Sequence, residues 1–264
     1  MPVIDAHAHL TDRRFADDVD LVLERARHVG IERVLTAGED LESSEAALAL
    51  ARRHDDVRVA VGVHPHRAES WNDDVARALA ELARDGNVVA IGEIGLDHSG
   101  RSAPLEAQER ALRGQLALAQ RLGLPVVLHV RDAGPRVRSV LGEDGPIRGM
   151  VHCYSEGPEE LPAWIDLGCF VSFAGTLTYP GSDRLRQAAA AAPQDWILAE
   201  TDAPYLAPQN VRGRRNEPLY VAATHAALAQ ALGEDLGILA GRIALNARTL
   251  FGERWGTSPA RPAS

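Results

Sequence analysis

Two histidines one residue apart, His7 and His9 in "VIDAHAHLT", stand almost at the start of the chain. Four more lie in short motifs further on: His64 and His66 in "GVHPH", His129 in "LHVRDA" and His152 in "HCYS". Neutral imidazoles are donors for Zn²⁺ or Mn²⁺, whereas Mg²⁺ prefers more oxygen. Two carboxylates supply that oxygen, Glu93 in "AIGEIGLD" and Asp202 in "AETDAPYL". A single histidine is best explained as a core or loop residue making an ordinary hydrogen bond. An HxH pair combined with a Glu and an Asp favours metal ligation. Six candidate ligands, His7, His9, Glu93, His129, His152 and Asp202, exceed the three that one catalytic zinc usually takes, which points to two divalent ions (Zn, Mg or Mn). Two cations roughly 3.5–4 Å apart need an anionic group between them. The chain has no lysine, all 28 basic residues being arginine, so a carbamylated lysine cannot serve and Glu93 is the expected bridge. Gly95, two residues on, is expected to leave room above it. Asp202 is expected to bind one ion and to accept a proton from the attacking water.

These residues need a frame that brings them together. Apolar, β-branched runs recur near residues 3, 32, 57, 88, 125, 149, 169 and 196. Between them lie amphipathic stretches that predict helices over 16–29, 42–53, 71–83, 104–122, 132–142, 158–167, 182–191 and 216–232, with another near 235–250. Eight strand–helix units in series predict an α/β protein, a single-domain (β/α)₈ TIM barrel over 1–254, with a disordered tail over 255–264. A doubly wound open sheet is the competing fold, but its phosphate loop would show a glycine-rich fingerprint after the first strand, and "DAHAHLTD" is not one. In a barrel, reactive groups sit at the carboxyl ends of the strands. His7, His9, His64, His66, His129 and His152 fall there. The period of two points His7 with His9, Glu93 with Gly95, His129 with Arg131, and Glu200 with Asp202.

Other residues carry weaker expectations. Cys153 alternates away from His152 and is expected to pack under a helix. Asp5 either orients His7 or fills the barrel interior. His98 reads as an exposed loop residue, and the four tryptophans read as packing. The net charge of −9 gives no overall basic field for nucleic acid, so any phosphate site must be local. No run of 18 apolar residues and no basic, then apolar, leader stand in the sequence, and two cysteines are too few for a disulfide framework. A cytoplasmic protein without a membrane partner is the expectation, and a monomer is compatible with it.

The motifs "IDAHAHL", "GVHPH", "AIGEIGLD", "LHVRDA", "HCYS", "ETDAPYLAP", "RGRRNEP" and "LNARTLFG" run the length of the chain. In order and spacing they resemble the TatD family of metal-dependent deoxyribonucleases, among the amidohydrolase-like barrels. The resemblance implies that His7, His9, Glu93, His129, His152 and Asp202 hold the metals with Glu93 bridging, and that His64, His66 and Arg131 lie near the scissile phosphate. The chain departs from the family at Glu156, where a glycine is usual, and at His98, where an aromatic residue is usual. A carboxylate at 156 would repel an anion unless it turned outward. Arg212, Arg214 and Arg215 offer a concentrated positive patch, with Arg215 expected at the substrate; a solvated charged loop is the equal alternative.

The leading expectation is hydrolysis of DNA phosphodiester bonds, acting as an exonuclease on single-stranded ends, and from the family on the 3′ end. A metal-dependent ester hydrolase acting on D-aminoacyl-tRNA is the second. A barrel that keeps its metals for structure alone is the third, and the open ligand set of Glu93 and Asp202 argues against it.

Overall fold

The computed structural model describes residues 2–100, 103–143 and 145–256. Eight strands lie in chain order: β1 (Val3–Ala8), β2 (Ile31–Ala37), β3 (Val57–Val61), β4 (Val88–Asp97), β5 (Val126–Arg131), β6 (Gly149–Val151), β7 (Cys169–Phe173) and β8 (Ile197–Ala199). Each pairs in parallel with the next. The circle closes just beyond β8, where Asp202 N donates to His7 O at 2.9 Å and His9 N to Ala203 O at 2.7 Å. The TIM barrel read from the sequence is therefore the fold.

The helices among the described residues are α1 (Val19–His28), α2 (Leu41–Ala51), α3 (Asp73–Leu82), α4 (Leu105–Leu122), α5 (Gly134–Gly142), α6 (Leu161–Asp166), α7 (Asp183–Ala191), α8 (Val221–Leu232) and α9 (Leu236–Phe251). Side chains fix several starts by accepting from otherwise unpaired amides: Asp40 from Ser43 N, Asn72 from Asp74 N and Val75 N, Asp235 from Gly237 N and Ile238 N. Gly123 and Gly233 end α4 and α8 in the left-handed region. Several helices begin later than their amphipathic pattern suggests. Residues 13–15, 158–160 and 218–220 are single tight turns, and Asp132 has φ +53°, so α1, α6, α8 and α5 start only after the chain has shaped the loop at the barrel mouth.

All ten residues of β4 are buried, and Leu35, Ile91, Ile94 and Leu96 are among the largest wholly buried side chains. Burying each such side chain is worth about 1.5–3 kcal/mol. Trp164 and Trp255 pack in the interior as expected, the latter stacked on Phe251 with ring centroids 4.8 Å apart. Trp255, expected in the tail, thus belongs to the packed body, because that stacking seals the foot of α9. The rest of the expected tail, 257–264, lies outside the described residues.

Candidate metal centre

β1 and β4 carry the heart of the site. His7 and His9 point the same way, as period two requires, and their Nε2 atoms lie 3.2 Å apart. Oε2 of Glu93 is 3.3 Å from each. Asp202 Oδ1 is 3.4 Å from His9 Nε2 and 3.8 Å from His7 Nε2. Donors around a tetrahedral ion with bonds of about 2.0–2.1 Å stand roughly 3.3–3.4 Å apart, so the spacings of His7, His9 and Asp202 are those of a group that could hold a cation. Glu93 Oε2 is buried with no hydrogen-bond partner among the described residues, which in a protein interior is tolerated where a cation takes its place.

The other oxygen of Glu93 faces a second group. Oε1 lies 2.6 Å from His129 Nδ1, 2.8 Å from His152 Nε2 and 3.3 Å from His64 Nε2. His129 Nδ1 is also 3.3 Å from His152 Nε2 and from His64 Nε2. The two shortest spacings are hydrogen-bond lengths, so a cation here requires the carboxylate to draw back by some tenths of an ångström. His64, expected beside the phosphate, lies with Glu93 and His129 in a group that could hold a cation.

The electrostatics fit cations. Burial alone would raise the Glu93 carboxyl, yet the imidazoles of His152, His64 and His129 outweigh burial and hold it well below the usual carboxylate range. Asp202 is lowered in the same way, chiefly by His9 against burial. His9 and His152 are pushed well above the usual imidazole range, since their carboxylate neighbours outweigh burial. Burial takes His64 down to about 4, which leaves a neutral ring with lone pairs to give. Ionised carboxylates drawing protons onto buried imidazoles show where the cup wants positive charge.

Local backbone explains this geometry. Asp202 has φ +55° and Cys153 φ +46°, a region costly for residues other than glycine, and both follow strand ends at the site. Cys153 accordingly does not pack under a helix: the left-handed turn reverses the alternation and sets it on the cavity wall beside His129, His152 and Asp202. Its half-buried thiol is pushed well above the ordinary range by burial and by Asp202, Glu200 and Glu93. The register between β4 and β5 slips between Ile91 and Ile94, at Glu93 itself. Gly95 makes room for β5 rather than for anything above Glu93, since a Cβ there, at φ +149°, would fall 1.9 Å from His129 O.

Around the donors stands a set of carboxylates and amides. Asp97 Oδ2 lies 3.4 Å from His129 Nε2 and 2.8 Å from His66 Nε2, while Gln108 Oε1 accepts from Asp97 N at 2.8 Å. Glu200 Oε1 lies 3.2 Å from His152 Nδ1 and accepts from Cys153 N at 2.8 Å, so it backs the ligand and is not part of the open mouth with Asp202. Asp5 touches neither imidazole ring. It accepts from Thr201 N and Thr201 Oγ1 at 2.8 and 2.6 Å, locking β1 to the segment that delivers Asp202. Sequence reasoning did not single out Asp97; its signal was a second acidic residue, at the carboxyl end of β4.

Above the donors a cavity of about 570 Å³ opens, with Arg131, Ser155, Arg184 and Tyr205 on its walls. Arg131 is exposed and has no ion pair among the described residues, whereas Arg184 pairs with Glu159. Arg215 is engaged elsewhere. It donates to Asp18 Oδ1 and Oδ2 at 2.7 Å, to Glu217 Oε1 at 2.8 Å and to Arg14 O at 2.5 Å, with its guanidinium 4.8 Å from the Phe15 ring centroid. Arg212 stacks over Tyr179 at 4.4 Å. Glu156 turns away from the mouth, accepting from Arg138 Nη1 at 3.0 Å and Trp164 Nε1 at 2.5 Å, in space that exists because residue 134 is glycine. His98 is exposed. No helix among the described residues is long and apolar enough to cross a membrane.

The chain is similar to known proteins over most of its length. It is 38% identical over 257 residues to the 3'-5' ssDNA/RNA exonuclease TatD of Erwinia tasmaniensis, covering 94% of this chain and 99% of that one. It is 34% identical over 221 residues to an uncharacterized metal-dependent hydrolase, YabD, of Bacillus subtilis, covering 83% of this chain and 87% of that one. The crystal structure of YJJV, a TatD homolog from Escherichia coli, superposes with a TM-score of 0.88 at 31% identity, over 94% of this chain and 97% of that one. A family model described as TatD related DNase matches residues 4–252, nearly the whole barrel with every donor named above, and the chain belongs to that family.

Proposed function

We propose that this protein is a divalent-metal-dependent exonuclease that removes nucleotides from the 3′ end of single-stranded DNA, using two ions on either side of Glu93. The observation that carries the reading is the division of the Glu93 carboxylate, with Oε2 turned to His7 and His9, which also meet Asp202, and Oε1 to His129, His152 and His64. His7, His9, Asp202 and Glu93 would hold one ion, and His129, His152 and Glu93 the other, with His64 able to join. Zn, Mn or Mg bound there would activate water and neutralise charge on the phosphate.

The chain's own groups do the rest. Asp202, on the cavity floor and 8% exposed, accepts the proton of the attacking water. Arg131 reaches the phosphate from the wall, and His66, anchored by Asp97, stands beside it. Arg215 holds the loops after β1 and β8 together rather than meeting substrate. A protein of net charge −9 with one small basic mouth suits a strand end better than a long duplex, which needs a broad basic face. Relatives at 38% identity are named 3'-5' ssDNA/RNA exonucleases, which supports the substrate class.

The test compares an end-labelled linear single strand, the same strand blocked at its 3′ terminus, a covalently closed circle and a D-aminoacyl-tRNA. Stepwise shortening of the unblocked strand alone is expected. Rapid cutting of the circle would make the protein an endonuclease, and deacylation with no shortening would make it an ester hydrolase.

A further inference from the structure

Tyr205 stands three residues beyond Asp202, and its exposure of 39% is unusual for an aromatic ring beside a buried polar cluster. Its side chain is nevertheless held on several sides. The hydroxyl donates to Asp12 Oδ2 at 3.2 Å, and the ring meets His9 edge-on at 5.9 Å between centroids. The Arg14 guanidinium lies 4.2 Å from its centroid and is itself fixed by Asp12, at 2.9 Å from Nε to Oδ1 and 2.8 Å from Nη2 to Oδ2. The backbone is fixed too: Tyr205 N donates to Asp202 O at 2.8 Å, and Asn216 Nδ2 donates to Tyr205 O at 2.6 Å.

Packing alone does not account for this. A ring kept for the core would be covered, and a ring left to solvent would not be clamped by an arginine and an aspartate. Tyr205 also lines the cavity that opens over Asp202 and His152. One face carries a cation that leaves the ring electron-poor and the rotamer set. The ring is therefore a pre-ordered π surface at the lip of the site, next to a candidate ligand.

We infer that Tyr205, backed by Arg14, is the platform on which a nucleobase flanking the scissile phosphate stacks. The ligand class is an unpaired purine or pyrimidine, taken without a hydrogen-bond code, since every base has a π face. A paired base keeps both faces inside the duplex, so the platform also explains a preference for single strands without a broad basic surface. The inference rests on the nuclease reading above and adds to it the group that holds the base.

The experiment uses the metal-loaded enzyme, wild type against Tyr205→Ala and Tyr205→Phe, on three labelled single strands. One has normal bases, and the other two have an abasic tetrahydrofuran residue at the 3′-terminal or the penultimate position. Base–aromatic stacking predicts a rise in KM of about 10-fold or more for Tyr205→Ala on the normal strand. The same variant should lose almost nothing on one of the two abasic strands, and Tyr205→Phe should stay near wild type throughout. An equal loss on all three strands, or no loss on any, overturns the platform. A second readout needs no turnover: 2-aminopurine opposite no partner, in a strand with a non-hydrolysable terminal linkage, should be quenched by wild type and by Tyr205→Phe but not by Tyr205→Ala. Quenching by a wild type that shortens no strand would retire the nuclease reading and keep the platform. Shortening with quenching that ignores Tyr205 would retire the platform and keep the nuclease.

Discussion

Asp97 Oδ2 lies 3.4 Å from Nε2 of His129, on the opposite edge of the ring from the Nδ1 that meets Glu93 at 2.6 Å. The imidazole is thus gripped at both nitrogens, its tautomer set by a carboxylate that the ion itself would not touch. Partners of this kind are typically worth 10–100-fold in metal affinity. Asp97→Asn should weaken binding of the ion held by His129 and His152 by about that factor, read by competition with a chelator, while the unfolding midpoint of the metal-free protein moves little. Unchanged affinity would mean that His129 needs no such support.

Asp202 combines contact with two imidazoles and a position on the cavity floor. Asp202→Asn keeps the shape and one oxygen donor but removes the base. General acid–base help is worth about 10²–10⁴-fold, so kcat should fall within that range while KM for a single strand changes by less than about 3-fold. A variant that lost affinity and kept turnover would make Asp202 a binding residue, and the base would have to be sought elsewhere.

Arg131 and Arg215 separate by their partners. Arg131 has no ion pair among the described residues, whereas Arg215 is pushed up from the ordinary guanidinium range, chiefly by hydrogen bonds to Asp18 against burial. Arg131→Ala should raise KM about 10-fold and flatten the log–log salt dependence of single-strand binding by about 0.7, the share of one phosphate contact. Arg215→Ala should leave KM and the salt slope alone and cost on the order of 1 kcal/mol of stability. The opposite pattern would return Arg215 to the substrate.

His225 gives a pH signature away from the metals. It lies wholly buried in α8, its Nε2 donating to Ile4 O at 3.1 Å, and burial takes it down to about 4. A lowered imidazole binds its proton more readily when unfolded, near pH 6.5, than when folded. Stability from the neutral ring is complete above pH 6.5 and drains away as pH falls toward 4. Over that window wild type should lose on the order of 3 kcal/mol more than His225→Gln, which retains a donor but does not titrate. Parallel curves in denaturant titrations at pH 7 and pH 4 would contradict this.

The sequence made some of this legible and hid the rest for physical reasons. His7, His9, Glu93 and Asp202 could be read because local motifs mark strand ends and a barrel gathers strand ends at one mouth. The pairing of Glu200 with Asp202 failed because φ +55° at Asp202 breaks the period of two, as φ +46° does at Cys153. The pairing of Arg215 with Asp18 was hidden because the two lie 197 residues apart and no pattern of spacing links them. The outward turn of Glu156 was hidden because its partners, Arg138 and Trp164, come from other parts of the chain and no local pattern marks them. Helix starts slipped where loop turns at the site continued an apparently helical pattern, as at residues 158–160 and 218–220.

The central claim is that one carboxylate, Glu93, joins two ions. It is tested most directly by anomalous diffraction at the manganese or zinc edge from crystals loaded with either metal, comparing wild type with Glu93→Gln. The account predicts two peaks roughly 3.5–4 Å apart in wild type, one against His7, His9 and Asp202 and one against His129 and His152, each in contact with a Glu93 oxygen. It predicts the loss of at least one peak in the variant. A single peak that Glu93 does not touch, or two peaks undisturbed by Glu93→Gln, would contradict it.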